Sequence, residues 1–329
     1  MAKTKQQQIK DFLINNGVII VMFILVFYTG FTSKNFFTSN NLMNILMNMS
    51  SRLVIALGIA GCVITAGCDL SAGRMIGLGG CIAGVLLQRI DYSGKFFPNM
   101  EPLNVFVVAI IVMVICGLFG SVTGFFIAYL NVPPFIATLA MMEIVYGLNL
   151  IFTNATPLGG YVKQYTNVAN GKFLGINYLI WIAVIVAAIT WFIFNMTRHG
   201  KYMYAIGGNP QAAEVAGVPV KATLIIIYMK AAAMYGLAGF MLGAKAGGAS
   251  VQLGYGYEME AIAACTIGGV SVTGGRGKVS SAIVGVAVFE LLKAALQYLG
   301  VDANAQYIAI GIVIFVAISL DIRKYIAKK

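Results

Sequence analysis

Uncharged apolar runs constrain the fold of this chain more than any other feature. Residues 12–33, 102–142, 173–197 and 303–320 contain no Asp, Glu, Lys or Arg. A membrane-spanning helix needs about 20 mostly apolar residues, so 102–142 is long enough for two. Only 10% of all residues are charged, against about 25% in soluble domains. The sequence therefore predicts a protein that crosses a membrane several times.

Together the runs predict an all-α polytopic protein with about ten transmembrane helices, some of them short or broken, in a single domain over residues 1–329. The NVPP segment at 131–134 removes backbone donors and divides the longest run into two spans. The windows 53–68, 75–88, 222–243, 261–275 and 279–299 complete the ten, with nine or eleven as the alternatives. No small-residue cleavage site follows the first run, so we expect a retained helix rather than a signal peptide.

The distribution of Lys and Arg predicts the orientation. With the N-terminus in the cytoplasm, the inner segments hold 13 of the 22 basic residues and the outer segments hold 7, Arg52 among them. Inner loops of membrane proteins are enriched in Lys and Arg, which favours two cytoplasmic termini and an even number of spans. Anionic lipid accounts for the net charge of +11, and no nucleic-acid partner is needed.

Two apolar runs are interrupted by glycines, hydroxyls and an Arg. The first reads VITAGCDLSAGRMIGLGG (63–80), and the second reads CTIGGVSVTGGRGKVSSAIVG (265–285). Ser71–Arg74 and Thr273–Arg276 match at an offset of 202 residues, which suggests an internal repeat. Irregular backbone cannot face lipid, so these segments either line a watery pathway or form tight turns at the inner surface. The sequence leaves both interpretations open.

Four charges fall inside the predicted spans. Glu290 and Lys293 are three residues apart, and we expect them to pair with each other on one helix. Glu143 and Lys230 have no nearby partner in sequence. We expect them to pair across the bundle, and contact of one of them with a substrate is the alternative.

No catalytic, metal or nucleotide site emerges from the sequence. The five cysteines lie in apolar runs without a CxxC spacing, and the only histidine, His199, has no acidic or cysteine cluster beside it. The stretch GGVSVTGGRGKVS fails the phosphate-loop pattern. We therefore expect no disulfide, metal or cofactor. Glycine pairs at four-residue spacing predict close helix packing; they are Gly80/Gly84, Gly120/Gly124, Gly239/Gly243 and Gly243/Gly247.

The loop at about 196–221 contains a short predicted helix with clear start and stop signals. Asn209 is a good N-cap, Pro210 suits the first helical position, and Gly217 suits a left-handed C-terminal residue. These signals predict a two-turn helix at 209–216. A helix of this length is unstable alone. It must therefore dock on other helix ends of this chain or on a partner.

The chain resembles the permease subunits of bacterial ATP-binding-cassette sugar importers, in the branch of the ribose and galactose/methyl-galactoside permeases. The resemblance rests on TAGCDLSAGR at 65–74, YLNVPPFIATL at 129–139, HGKYMYAIGGNPQAAEVAGV at 199–218, AIAACTIGGVSVTGG at 261–275 and the terminal LDIRKYIAKK. It implies a non-catalytic pore subunit in the bacterial inner membrane. Its cargo would be a monosaccharide of the galactose/methyl-galactoside or a related class.

The resemblance also implies partners and site residues. The partners are a second copy of the permease, an extracytoplasmic sugar-binding protein and a cytoplasmic ATPase, which binds the ATP. The ATPase-coupling helix would comprise Gly207, Gly208, Asn209, Pro210, Glu214 and Gly217. The translocation pathway would be bordered by Asp69, Ser71, Arg74, Ser271 and Thr273, with Glu143 and Lys230 as further candidates. An autonomous ion-coupled secondary transporter, using Glu143 or Lys230, is the alternative function.

Overall fold

The computed structural model describes residues 22–326, together with positions 17 and 20, so the beginning of the predicted span 12–33 lies outside the described residues. In this part the chain forms thirteen helices and one short hairpin. The first helices are α1 Met22–Thr32, α2 Ser39–Ile64, α3 Ala72–Leu86, α4 Val105–Tyr129, α5 Pro134–Thr153, α6 Lys163–Asn170 and α7 Tyr178–Met196. The others are α8 Arg198–Gly208, α9 Pro210–Val215, α10 Val220–Ala246, α11 Tyr257–Gly268, α12 Val279–Tyr298 and α13 Ala303–Ile326.

Six of the described helices are long and apolar enough to cross a membrane: α2, α4, α5, α7, α10 and α12. The helices α1 and α3 and the segment Asn304–Val316 of α13 are apolar but shorter, and α11 has only 12 residues. Each of the ten predicted windows overlaps a described helix at least in part, and window 261–275 extends seven residues beyond the end of α11. The architecture is that of an all-α, multi-pass membrane protein.

The NVPP segment divides the longest apolar run, as predicted. Helix α4 ends at Tyr129, and Asn131 adopts a left-handed φ of 52°. Helix α5 starts with Pro134 at its first position, where the missing N–H costs no helical hydrogen bond. It continues to Thr153, well beyond the uncharged window, so Glu143 lies in mid-helix.

Helix α10 is the central column of the bundle and packs against α2, α3 and α4. Glycines permit this close approach. A Cβ at Gly239 would overlap the carbonyl oxygen of Ile76 on α3, and a Cβ at Gly120 would overlap that of Tyr228 on α10. The predicted close packing is therefore confirmed at these positions. Gly247 plays another role: it ends α10 with a φ of 65°, and a Cβ at this position would meet no atom within 4 Å.

The helices define two ends of the bundle. One end carries α8 and α9 and is here called the α9 end. The other carries α6 and the antiparallel hairpin Lys172–Phe173 with Ile176–Asn177, and is called the α6 end. Bridges between Gln88 and Tyr161 and between Leu158 and Ala249 fix the ends of α3 and α10 to this side.

The ends of α2 and α11 share one local structure. The amide of Gly67 donates to the Cys62 carbonyl at 3.0 Å, and the amide of Val270 donates to the Cys265 carbonyl at 2.9 Å. The preceding residue is left-handed in both, with φ 58° at Ala66 and 102° at Gly269. The two turns are 203 residues apart, one more than the offset of 202 at which the sequence motifs match. Arg74 lies in α3, whereas Arg276 lies in a loop.

The predicted pairing of Glu290 with Lys293 is wrong. Glu290 forms an ion pair with Arg52 of α2, and Lys293 binds Glu260 of α11 at 2.5 Å. The Nε atom of Arg52 also lies 3.6 Å from Glu260. The orientation count placed Arg52 in an outer segment, but α2 starts at Ser39 and encloses it. The four charges connect α2, α11 and α12.

Substitution of Gly239 tests the packing of the central column. Valine at this position must displace the backbone of α3, and overpacking of this kind costs about 1–3 kcal/mol. We expect Gly239→Val to lower the thermal transition of the detergent-purified protein. Gly147→Val is the matched control, because this helical glycine of α5 has no atom within 4 Å of the added Cβ. Equal losses in both variants would contradict the packing model.

Candidate functional site

An irregular segment joins α10 to α11 and packs against α3. Residues 247–256 pass along α3, because a Cβ at Gly80 would touch the side chain of Ala249, one at Gly77 the carbonyl of Val251, and one at Gly73 the carbonyl of Gly254. The path from Gly80 to Gly73 covers about 10 Å of helix axis. Sequence analysis missed this break. Its signal is the glycine pattern GGASVQLGYGYE, in which Gly254 and Gly256 have left-handed φ values of 83°.

In the first predicted interruption, 63–80, the non-helical residues are 65–71, and other helices cover them. The hydroxyl of Tyr228 donates to the Cys68 carbonyl at 3.4 Å, and a Cβ at Gly67 would overlap that hydroxyl. Tyr228 lies eight residues into α10, about 12 Å from the start of that helix. Asp69 is 2% exposed and accepts from the Ser71 hydroxyl at 2.6 Å and from its amide at 3.0 Å. The segment is irregular backbone that other helices cover, as membrane depth requires.

Helices α3 and α11 therefore start inside the bundle, at one level. A Cβ at Gly73 of α3 would overlap the carboxylate of Glu258, in the first turn of α11. Helix N-termini carry a partial positive charge, which favours Asp69 and Glu258 at these positions. The Oε2 atom of Glu258 is buried and accepts no hydrogen bond from the described residues. We call residues 69–74, Tyr146 and 252–258 the α3–α11 junction.

Arg74 is held at the exposed side of this junction. Its guanidinium lies 3.9 Å from the ring centre of Tyr146 and 4.8 Å from that of Tyr255. It donates to Oε1 of Gln252 at 3.1 Å, and Nε2 of Gln252 donates to the Tyr146 hydroxyl at 3.2 Å. Tyr255 is 66% exposed. The sequence indicated Asp69, Ser71 and Arg74, but not the residues that surround them.

The other predicted pathway residues lie at the α9 end. Ser271 and Thr273 are joined by their hydroxyls at 2.9 Å in the loop before α12. In the same loop the Gly275 amide donates to the Ile64 carbonyl at 2.8 Å. A Cβ at Gly207 of α8 would overlap both of these backbone groups. Ser271 and Thr273 are thus separate from the junction, and their loop contacts α8.

The predicted short helix is present as α9, Pro210–Val215, with the predicted residues at its two ends. The Asn209 side chain caps it by accepting from the Ala212 amide at 2.9 Å, and Gly217 has a φ of 81°. The helix is exposed apart from Ala213, and Val215 reaches 91% exposure. Gly208 and Glu214 are also exposed. Helix α9 is thus presented to its surroundings, whereas α8 anchors it to the bundle.

Glu143 and Lys230 do not meet in the described part of the chain, so their predicted pairing is wrong for a single copy. Glu143 is exposed on α5, one turn before Tyr146 and on the same face. Lys230 is half-buried on α10 near His199 of α8. Burial lowers the pKa of His199 to about 4, and the charge of Lys230 acts in the same direction. His199 is therefore neutral at pH 7.

Comparison with known proteins identifies related transporters. Residues 41–318 match the family described as branched-chain amino acid transport system / permease component. The chain is 40% identical, over 336 residues and the full length of both chains, to the galactose/methyl galactoside import permease protein MglC of Escherichia coli (strain K12). It is 32% identical to the ribose import permease protein RbsC of that strain, over 96% of each chain. No solved structure matches the chain.

The cap of α9 is open to a direct test. Asn209→Ala removes the side-chain acceptor, which costs about 1 kcal/mol of helix stability. Hydrogen exchange at the Ala212 amide should accelerate about fivefold, and the amides of α10 should not change. Gln211→Ala is the control, since Gln211 is exposed and makes no hydrogen bond within the described residues. Similar exchange in both variants would contradict the assigned cap.

Proposed function

Because the chain belongs to the family of branched-chain amino acid transport system permease components, we propose that it is the membrane subunit of an ATP-driven importer of a monosaccharide. The similarity over the full length to galactose/methyl galactoside import permeases carries the proposal. It makes galactose and its methyl glycosides the first sugars to test. Ribose is the second, given the more distant ribose permeases.

In this proposal the α9 end faces the bacterial cytoplasm and both termini lie on that side. Arg198, Lys201 and Lys221 cluster around α8 and α9, in line with the enrichment of basic residues in inner loops. The Lys221 ammonium also lies 5.1 Å from the ring centre of Tyr129, an aromatic position typical of a membrane interface. The shorter helices α1, α3, α11 and α13 complete ten crossings, with α3 and α11 as half-crossings extended by irregular backbone.

Helix α9 serves as the coupling helix. Its exposed face, with Glu214 and Val215, suits a groove on a separate ATPase, and its ends are fixed by Asn209 and Gly217. Movement of α9 is transmitted through α8, because Gly207 packs against the Ile64 carbonyl at the end of α2 and the Gly275 amide of the loop before α12. The loop with Ser271 and Thr273 and the end of α2 therefore move with α8. ATP acts on this chain through its partner.

The sugar passes the α3–α11 junction. The site offers donors on Arg74, a carboxamide on Gln252, and aromatic faces on Tyr146 and Tyr255. Sugar hydroxyls both donate and accept, so such a mixed set suits a neutral polyol. Two copies of the chain would enclose the pathway between exposed faces that carry Glu143 and Tyr255. An extracytoplasmic sugar-binding protein would deliver the cargo at the α6 end.

Val215→Glu tests the coupling role of α9. A buried charge without a partner is strongly unfavourable in an apolar interface, so the variant should lose the ATPase on co-purification and abolish sugar uptake. The control is Leu174→Glu at the α6 end, where an exposed apolar residue receives the same charge. Leu174→Glu should retain the ATPase. Unchanged association of Val215→Glu would exclude α9 as the docking element.

Tyr255 tests the junction as the sugar pathway. We expect Tyr255→Ala to reduce kcat/KM of ATP-dependent uptake about tenfold, since it removes an aromatic face and frees Arg74. Tyr255→Phe keeps the ring and should stay within about twofold of the wild type. Uptake of labelled methyl galactoside into proteoliposomes of the whole importer provides the measurement. Equal activity of the three proteins would place the pathway elsewhere.

A further inference from the structure

A second polar space lies outside the junction, at the α6 end. It is a cavity of about 860 Å³ between α2, α12, α13 and the last turn of α10. This volume falls within the usual range for small-ligand sites. Its walls are rich in side-chain amides and tyrosines; they include Asn44, Asn48, Gln297, Gln306, Tyr298 and Tyr307. Neither the family match nor the relatives' names assign a role to it.

The cavity reaches deep into the bundle. Asn41 and Tyr298 lie near helix ends at its mouth, while Arg52 lies 13 residues beyond the start of α2, at about 20 Å of helix length. Polar side chains at this depth cannot face lipid, so the cavity must contain water or a polar ligand.

Most of the charged side chains at the floor of the cavity form ion pairs. Arg52 is neutralised by Glu290, which is only 4% exposed, and Lys293 is neutralised by Glu260. Lys245 donates to the side-chain oxygen of Asn48. Because four of the five charges form two ion pairs, the cavity holds little net charge for a strongly anionic or cationic ligand.

Several groups on the walls are available for a ligand. The carboxamides of Asn44 and Gln297 are exposed to the cavity and make no hydrogen bond within the described residues. Each carries both a donor and an acceptor, as every sugar hydroxyl does. Tyr298 and Tyr307 add exposed ring faces. This combination suits an uncharged compound with many hydroxyl groups.

We propose that this cavity binds a neutral monosaccharide, as an outward-facing site that the sugar occupies before the α3–α11 junction. The inference rests on the proposed function for the identity of the cargo. It adds a location that is distinct from the junction and is built mainly from residues that sequence analysis did not indicate.

Protection of introduced cysteines tests the proposal. Asn44→Cys and Gln297→Cys are expressed with the ATPase in membrane vesicles and labelled from the α6 end with a charged, membrane-impermeant thiol reagent. The signal of the wild type is subtracted, since its five cysteines are buried or half-buried. Asn304→Cys is the control, because Asn304 is exposed on α13 and does not line the cavity.

Methyl β-D-galactoside should slow labelling of Asn44→Cys and Gln297→Cys about tenfold at about ten times its Kd, since only the empty site reacts. Labelling of Asn304→Cys should not change, and glycine betaine, a zwitterion of zero net charge without hydroxyls, should not protect. Absence of protection, equal protection by betaine, or absence of labelling at both cavity positions would overturn the inference. Protection by galacturonate alone would also overturn it, because Lys245 would then select an anion.

Uptake separates this inference from the proposed function. With the binding protein added, the wild-type complex should import labelled methyl galactoside when ATP is supplied. Import without protection would reject the cavity and leave the function intact. Protection without import would reject the importer and keep the cavity as a sugar site.

Discussion

The absence of water inside a membrane is the constraint on which this structure depends. Every backbone amide and carbonyl at that depth must be satisfied by the protein, which is why uninterrupted helices dominate. The chain nevertheless places two irregular segments, 65–71 and 247–256, against the helices of the bundle. Tyr228 of α10 covers the first, and the second packs against the backbone of α3 at glycines such as Gly77. The α3–α11 junction exists because these two helices begin where the irregular segments end.

The charged residues obey the same constraint. A lone charge at membrane depth costs several kcal/mol, and the network of Arg52, Glu260, Glu290 and Lys293 distributes that cost over three helices. Pairing within one helix would leave Arg52 only Glu260 as a partner and would not connect α12 to α2 and α11. Pairing between helices neutralises all four and defines the register of α2 against α11 and α12. The polar cavity then opens above a floor that is electrically balanced.

Local signals in the sequence predicted local structure well. The caps of α9, the division of the longest run at 131–134 and the close contacts of Gly239 follow from rules that act within a few residues. Partners distant in sequence could not be predicted in this way: spacing favoured Lys293 for Glu290, whereas tertiary packing chose Arg52. The segment 247–256 was missed because it falls between the predicted spans 222–243 and 261–275, where the sequence was interpreted as an outer loop. Arg74 was indicated by its motif, but its aromatic partners come from two other parts of the chain.

The position of Gly207 has a consequence for sequence variation in this family. Its backbone touches the Ile64 carbonyl, which ends the first of two matching helices, and the Gly275 amide, which follows the second. A side chain there would separate the end of α2, with its turn 62–67, from the loop that follows the matching turn 265–270. The side chains of loops 65–71 and 269–278 can therefore vary, but their main chains must keep their positions relative to each other. Selection should act on these three segments as one unit, so that position 207 tolerates no change on its own and loop lengths vary together or not at all.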